Sequence, residues 1–310
     1  MTAVLTRWTT RTVLLVALFI GAGGCASTAP PSSSPSDAAA PGTAPTLQHQ
    51  SLNATLWAQQ SAEYAALVRQ TYAQAARQLT AVVNDSTLTA AVEQRRQMEA
   101  RTYAALPPAV ILDLDETVLD NSAYQARLIL DGETYSTASW NAWCRERRAT
   151  ALPGARRFVE QARDAGVAVF YLTNRRNVVR AATRDNLEAL GFPVSEDRLL
   201  MRGQRAGWDT SDKASRREHI MQSHRIVMQL GDNLGDFLPD VETSLRARER
   251  MRSAYNGFWG TRWFVLPNPQ YGSWEGALFG YDYSLSPEEQ LQQKRDRLLP
   301  ARDLPARDEE

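Results

Sequence analysis

The chain has 310 residues, with 35 Lys and Arg balanced by 35 Asp and Glu, so its formal net charge is zero. Without a basic excess it lacks the electrostatic footprint of a protein that binds a nucleic-acid polymer. Its three histidines, His49, His219 and His224, form no ligand pair on one helical face, which argues against a metal role for them.

In chain order, Arg7 and Arg11 precede the apolar run Val13–Ile20, which is too short to span a membrane stably. Gly21-Ala22-Gly23-Gly24-Cys25 follows and resembles a lipoprotein cleavage box, with Ala22 where such boxes more often have Leu. Residues 1–24 therefore read as a lipoprotein signal peptide and Cys25 as the lipidated first residue of an exported, membrane-anchored protein. Ala26 rather than Asp follows Cys25, which favours the outer membrane. If Cys25 is lipidated, Cys144 has no intrachain partner and no disulfide forms. Residues 25–49 are rich in Ala, Ser, Pro and Thr and cannot bury enough apolar surface to fold. They read as a disordered tether, with an end-to-end distance of about 25–30 Å for a coil of that length.

Residues 50–106 read as a helical segment. Ala and Leu recur with Gln, Arg and Glu between Leu52 and Tyr103, without Gly or Pro, which predicts two helices broken near Asn84-Asp85-Ser86. Tyr64, Leu67 and Tyr72 are expected to pack.

A core over 107–284 follows. Val110-Ile111-Leu112 reads as a buried strand that delivers Asp113 and Asp115 to the mouth of a sheet. At i and i+2 in a strand the two carboxylates project to the same side. Acids that close repel unless a cation or shared proton intervenes, so the pair suggests a divalent metal with a nucleophile or an acid/base pair. Glu116, Asp120 and Asn121 can orient a turn through the backbone or take part in chemistry. An insertion at about 121–152, carrying Trp140 and Trp143, is expected to form a small helical cap. A helix around Phe158–Ala162 leads to the strand Val167–Leu172, which ends in Thr173-Asn174-Arg175. Arg180–Leu190 is a helix stopped by Gly191, with Pro193 beyond. Thr210-Ser211-Asp212-Lys213 opens another helix, with Asp or Ser as its cap. Ile226–Leu230 is a strand ending in Gly231-Asp232-Asn233-Leu234-Gly235-Asp236, where Gly231 is expected to permit an unusual turn. A last strand around Trp263–Leu266 precedes a Gly-rich loop with Tyr271 and Trp274. Residues 285–310 read as a charged tail. This alternation predicts an α/β fold: a Rossmann-like parallel sheet with a small helical cap and N-terminal helices.

Four of these segments together resemble the haloacid-dehalogenase (HAD) superfamily of phosphohydrolases, and within it the bacterial class C acid phosphatases, the lipoprotein e(P4)-like 5'-nucleotidases. They are Ile111–Leu119 with Asn121 and Tyr124, Tyr171–Arg175, Gly231–Leu234 with Asp236-Phe237, and Leu266-Pro267-Asn268 with Tyr271–Gly276. The resemblance implies a Mg²⁺-dependent acid phosphatase or 5'-nucleotidase acting through an aspartyl-phosphate. Asp113 would be the nucleophile and Asp115 the proton donor. Asp115 must carry a proton at working pH, which implies an acidic or near-neutral optimum. Thr173 would bond the phosphoryl oxygens and Lys213 neutralise charge. Asp113, Asp232 and the main-chain carbonyl of Asp115 would hold Mg²⁺, with Asp236 behind them on a metal-bound water or on Lys213. Trp140 and Tyr271 are candidates for a clamp on a planar base, or fill a small secondary core; for Trp143 and Trp274 the packing role is expected. Asn174 is a candidate substrate contact, and Arg175 is either another or a surface ion pair. The partners implied are small phosphomonoesters, nucleotides first, and a second copy of the chain in a homodimer. The competing function is a non-catalytic ligand-binding lipoprotein on the same fold, which the presence of both Asp113 and Asp115 disfavours.

Overall fold

The structure, a computed structural model, describes residues 50–300. The expected signal peptide, lipidated Cys25, the tether with His49, and the last ten residues lie outside them.

The first helical stretch is divided by Ser61, which leaves helical geometry and accepts a hydrogen bond from the Tyr64 amide at 3.0 Å. Ser is a strong helix N-cap, so it stops α1 (Leu52–Gln60) and starts α2 (Ala62–Asn84). Two short helices, α3 (Val92–Gln97) and α4 (Ala100–Ala104), complete a segment of four helices rather than the two expected. α2 buries Tyr64, Val68, Tyr72, Ala75, Leu79 and Val82, one stripe at helical spacing. Leu67 falls off that stripe and is exposed, contrary to its expected packing role.

Strand and helix then alternate: β1 (Pro108–Leu112), β2 (Leu119–Asp120), α5 (Ser122–Asp131), α6 (Thr137–Glu146), β3 (Thr150–Ala151), α7 (Ala155–Asp164), β4 (Ala168–Arg176), α8 (Arg180–Ala189), β5 (Leu199–Arg202), α9 (Ala214–Met221), β6 (Arg225–Gly231), α10 (Leu245–Ala254), β7 (Trp263–Val265), α11 (Ser273–Gly276) and α12 (Pro287–Asp296). Five strands form one parallel sheet in the order β5-β4-β1-β6-β7. The chain winds outward from β1 through β4 to β5, then returns to the other side for β6 and β7. The order therefore reverses between β1 and β6, and in such sheets ligands bind beyond the carboxyl ends of the strands at that point.

Successive residues of β1 enter opposite layers. Val110 and Leu112 join Tyr72, Phe158 and Val159 on one face, while Ala109 and Ile111 join Ala90, Val92, Ile220 and Trp263 on the other. A sheet covered on both faces is why these strands are unbroken apolar runs. The insertion leaves and rejoins the core through an antiparallel ribbon, with Leu119 opposite Ala151 and Asp120 opposite Thr150. α5 and α6 rise from it beside the carboxyl ends of the main sheet, and α5 also packs on α1.

Candidate active site

β1 ends at Leu112, so Asp113 and Asp115 lie in the turn beyond it rather than on its pleat. The Asp113 amide donates to the Leu230 carbonyl of β6 at 3.0 Å, holding the end of β1 to the end of β6. The turn, not strand alternation, brings both acids to the same cavity. Its geometry is fixed by Glu116, which is buried, takes a left-handed φ of 56° and accepts from the Asn121 amide at 2.8 Å. Asp120 accepts from the Ser122 amide at 2.8 Å, so both acids orient the backbone here.

Three elements deliver charge to this edge. Asp113 follows β1, Asp232 and Asp236 follow β6, and each offers one oxygen within 4.8 Å of the others. Lys213, immediately before α9, bridges Asp113 and Asp236, the latter at 2.6 Å. Asp236 is held in turn by the Asn233 amide at 2.9 Å. Gly231 does not adopt a left-handed turn; a Cβ there would collide with the Asp236 side chain, so close approach is what requires glycine. Asp232 accepts from the Asn268 amide group at 2.8 Å.

Burial pushes the Asp113 carboxyl up to about 7, against the pull of Lys213 and with help from Asp236 and Asp115. Burial, then Asp236 and Asp113, push Asp232 well above the ordinary range. Glu116 is raised by burial and by Asp115. Carboxylates crowded in this way favour a bound cation. The donor set is all oxygen, which suits a hard divalent cation.

Asp115 takes a different partner. Its Oδ1 accepts from Arg175 Nε at 2.9 Å and from Asn121 Nδ2 at 3.0 Å, and lies 2.8 Å from Arg175 Nη2 in an ion pair. Its Oδ2 faces the Thr173 hydroxyl at 3.5 Å. Arg175 is buried, not the surface ion pair that was one of its two expected settings, because β4 continues to Arg176 and carries it inward. Burial is the largest effect and opposes its charge, but Asp115, Cys144 and Glu116 together hold it above its ordinary value. Asn121 Oδ1 accepts from Arg175 Nη2 at 3.1 Å and from Trp143 Nε1 at 2.9 Å, so the cap helix α6 reaches the Asp115 network directly. Thr173 is fully buried at the same edge, and its hydroxyl also accepts from the Arg175 amide at 3.0 Å. Asn174 is exposed and bonds Ser211 and Arg216.

The acids line a cavity of about 1020 Å³. Trp140 and Tyr271 line it as well. Trp140 meets the Tyr124 ring edge-on at 5.0 Å and lies 5.6 Å from the Arg175 guanidinium. The Tyr271 hydroxyl is buried without a partner. Trp143 is packed as expected, whereas Trp274 is 39% exposed, because its short helix α11 leaves it at the surface. Gln290 and Lys294 on α12 form part of the wall, so the charged tail contributes to the cavity.

Sequence reasoning also passed over Glu93, Arg216 and Arg217. Arg217 Nη2 pairs with Glu93 at 2.6 Å, and its Nη1 donates to the Gly235 and Asp236 carbonyls at 3.2 Å. The signal was available, since Lys213, Arg216 and Arg217 are spaced to share one helical face.

Residues 36–274 match the family model described as HAD superfamily, subfamily IIIB (Acid phosphatase). Acid phosphatase 1 of Solanum lycopersicum is 29% identical over 164 residues, 52% of this chain and 57% of that protein. The chain thus spans little more than half the length of that curated relative. The class C acid phosphatase from Bacillus anthracis is 34% identical, with 81% of this chain and 98% of that chain covered and a TM-score of 0.69. Its structure with tungstate bound gives 33% identity, 81% and 97% coverage and a TM-score of 0.70.

Proposed function

The chain belongs to the subfamily IIIB acid phosphatases of the HAD superfamily, and from that premise we propose that it hydrolyses phosphomonoesters, nucleotides foremost, through an aspartyl-phosphate on Asp113. The observation that carries this reading is the meeting of Asp113, Asp232 and Asp236 around Lys213 at the carboxyl edge of the sheet.

Asp113 attacks phosphorus and the alkoxide leaves. Asp115 protonates that alkoxide, then takes a proton from the water that hydrolyses the intermediate. Because Arg175 and Asn121 both engage Oδ1, Oδ2 is the oxygen that carries the proton. The Thr173 hydroxyl and backbone N–H groups bond the phosphoryl oxygens, and Lys213 offsets the charge that gathers there. Asp113, Asp232 and the Asp115 carbonyl would hold Mg²⁺, which when bound supplies further positive charge to the phosphoryl group. Asp236 is held by Lys213 and stands behind these ligands. The cavity has room for far more than a phosphate, and Trp140 and Tyr271 on its wall suit a planar base. Export and lipidation at Cys25, with outer-membrane placement, complete the reading.

The deciding experiment is phosphate release from a panel of phosphomonoesters, with and without Mg²⁺, by the wild type and Asp113→Asn. The wild type should turn over, EDTA should silence it and Mg²⁺ should restore it. Asp113→Asn should be inactive yet folded, because an amide does not attack phosphorus as a carboxylate does. Steady-state turnover by that variant, with deamidation excluded, would remove Asp113 as nucleophile.

A further inference from the structure

Arg216 lies on α9, three residues after Lys213, and is fully buried. Its neighbour Arg217 has Glu93, and Lys213 has Asp113 and Asp236. Arg216 alone of the three has no carboxylate within ion-pair distance among the described residues. Burying an unpaired guanidinium costs several kcal/mol as an order of magnitude, so its position demands a reason. Burial lowers its pKa to about 10, partly offset by Asp113, so it stays charged at neutral pH.

Its hydrogen bonds give the reason. Nη1 donates to the Thr173 carbonyl at 2.6 Å. Nη2 donates to Asn174 Oδ1 at 2.7 Å, to the Asp212 carbonyl at 3.0 Å and to the Thr210 carbonyl at 3.5 Å. Nε is buried with no acceptor. One planar group thereby joins the end of β4 to the turn that presents Lys213. Lysine, with a single nitrogen on a flexible stem, cannot hold both sides at fixed geometry.

Resting on the phosphatase reading above, we infer that Arg216 is a positioning residue for phosphoryl transfer. It locks Thr173 to Lys213 at the spacing the transferring phosphoryl oxygens need, and sets a fixed positive charge behind them. It does not touch substrate. Its contribution therefore falls on the transition state, where misplacement of such groups is felt most, rather than on ground-state binding.

The test compares the full chain with Arg216→Lys and Arg216→Met, using p-nitrophenyl phosphate with Mg²⁺. kcat, KM, inhibition by orthovanadate and Tm are measured for each. In Arg216→Met, kcat should fall by about tenfold or more while KM changes by less than about threefold. Orthovanadate, which resembles the five-coordinate transition state, should lose affinity in step with kcat. Arg216→Lys, which keeps the charge but not the fork, should fall between the two. The inference is overturned if both variants keep kcat within about twofold of wild type, or if kcat falls with orthovanadate affinity unchanged. It is equally overturned if neither variant folds, since the residue is then a stability element. Asp113→Asn assayed alongside separates the two levels. An active Asp113→Asn enzyme sinks the mechanism, whereas an inactive one beside fully active Arg216 variants sinks only the positioning role.

Discussion

In the proposed mechanism Asp113 has two demands on it: it must be buried to exclude water, and it must be ionised to attack. Burial, with Asp236 and Asp115 beside it, carries its carboxyl from the ordinary 3.8 up to about 7. The sign of the consequence follows from proton binding. Between those two values the folded protein holds a proton that the unfolded chain has released, so stability falls as pH rises through the interval. Each such proton is worth about 1.4 kcal/mol per pH unit. A bound cation removes the need for that proton. After EDTA treatment, the wild type should therefore lose Tm relative to Asp113→Asn as pH is raised from about 4 to about 7. The Tm gained on adding Mg²⁺ should grow over the same range. Differential scanning calorimetry at fixed ionic strength reads both. A Tm difference between wild type and variant that stays flat with pH would place the proton on Asp232 rather than on Asp113.

At the scale of elements, the proposed reading has the helical insertion connect specificity to chemistry. α6 carries Trp140 into the cavity and Trp143 onto Asn121, so one short helix touches both the substrate space and the Asp115 network. Trp140→Ala and Tyr271→Ala should therefore slow nucleotides more than small aryl phosphates, with loss of a stacking face costing about 1–3 kcal/mol per base. Ratios of kcat/KM for a nucleoside monophosphate and p-nitrophenyl phosphate measure this. Equal losses on both substrates would mean that the cap has collapsed or that Arg175 has shifted. Such elements were legible in the sequence to different degrees. β1, β4 and β6 stood out because strands covered on both faces are unbroken apolar runs with acids, hydroxyls or amides at the end. β5, Leu199–Arg202, is only four residues of Leu, Leu, Met and Arg, a composition that suits a helix as well. Ser61 was hidden because a capping serine in the middle of a helical pattern carries no periodicity signal. The acids of the site could be read because they sit beside strand ends. Its supporting residues could not be paired, since Glu93 with Arg217 and Asp115 with Arg175 are joined only by folding.

At the scale of the whole molecule, the acids, Lys213 and the aromatic residues of the site all lie among the described residues. Among the described residues the cavity is lined from Gln50 to Lys294. Among the described residues no helix is long and apolar enough to cross a membrane. Attachment is proposed to come from the segment around Cys25, on the strength of its short apolar run, small residues and Ala/Ser/Pro-rich continuation. One acyl chain binds a bilayer only marginally, whereas several on one residue hold firmly. Anchor and catalysis should therefore separate cleanly. Cys25→Ser should move the protein from the membrane fraction to the soluble one or leave it as an uncleaved precursor, while kcat on p-nitrophenyl phosphate stays at the wild-type value. Mass spectrometry of the mature N-terminus provides the chemical check. The expected species begins at Cys25 and carries the mass of its acyl chains. An unmodified mature protein that begins after Cys25 would instead be a secreted soluble enzyme, and the anchor would be lost from the account while the phosphatase site stood unchanged.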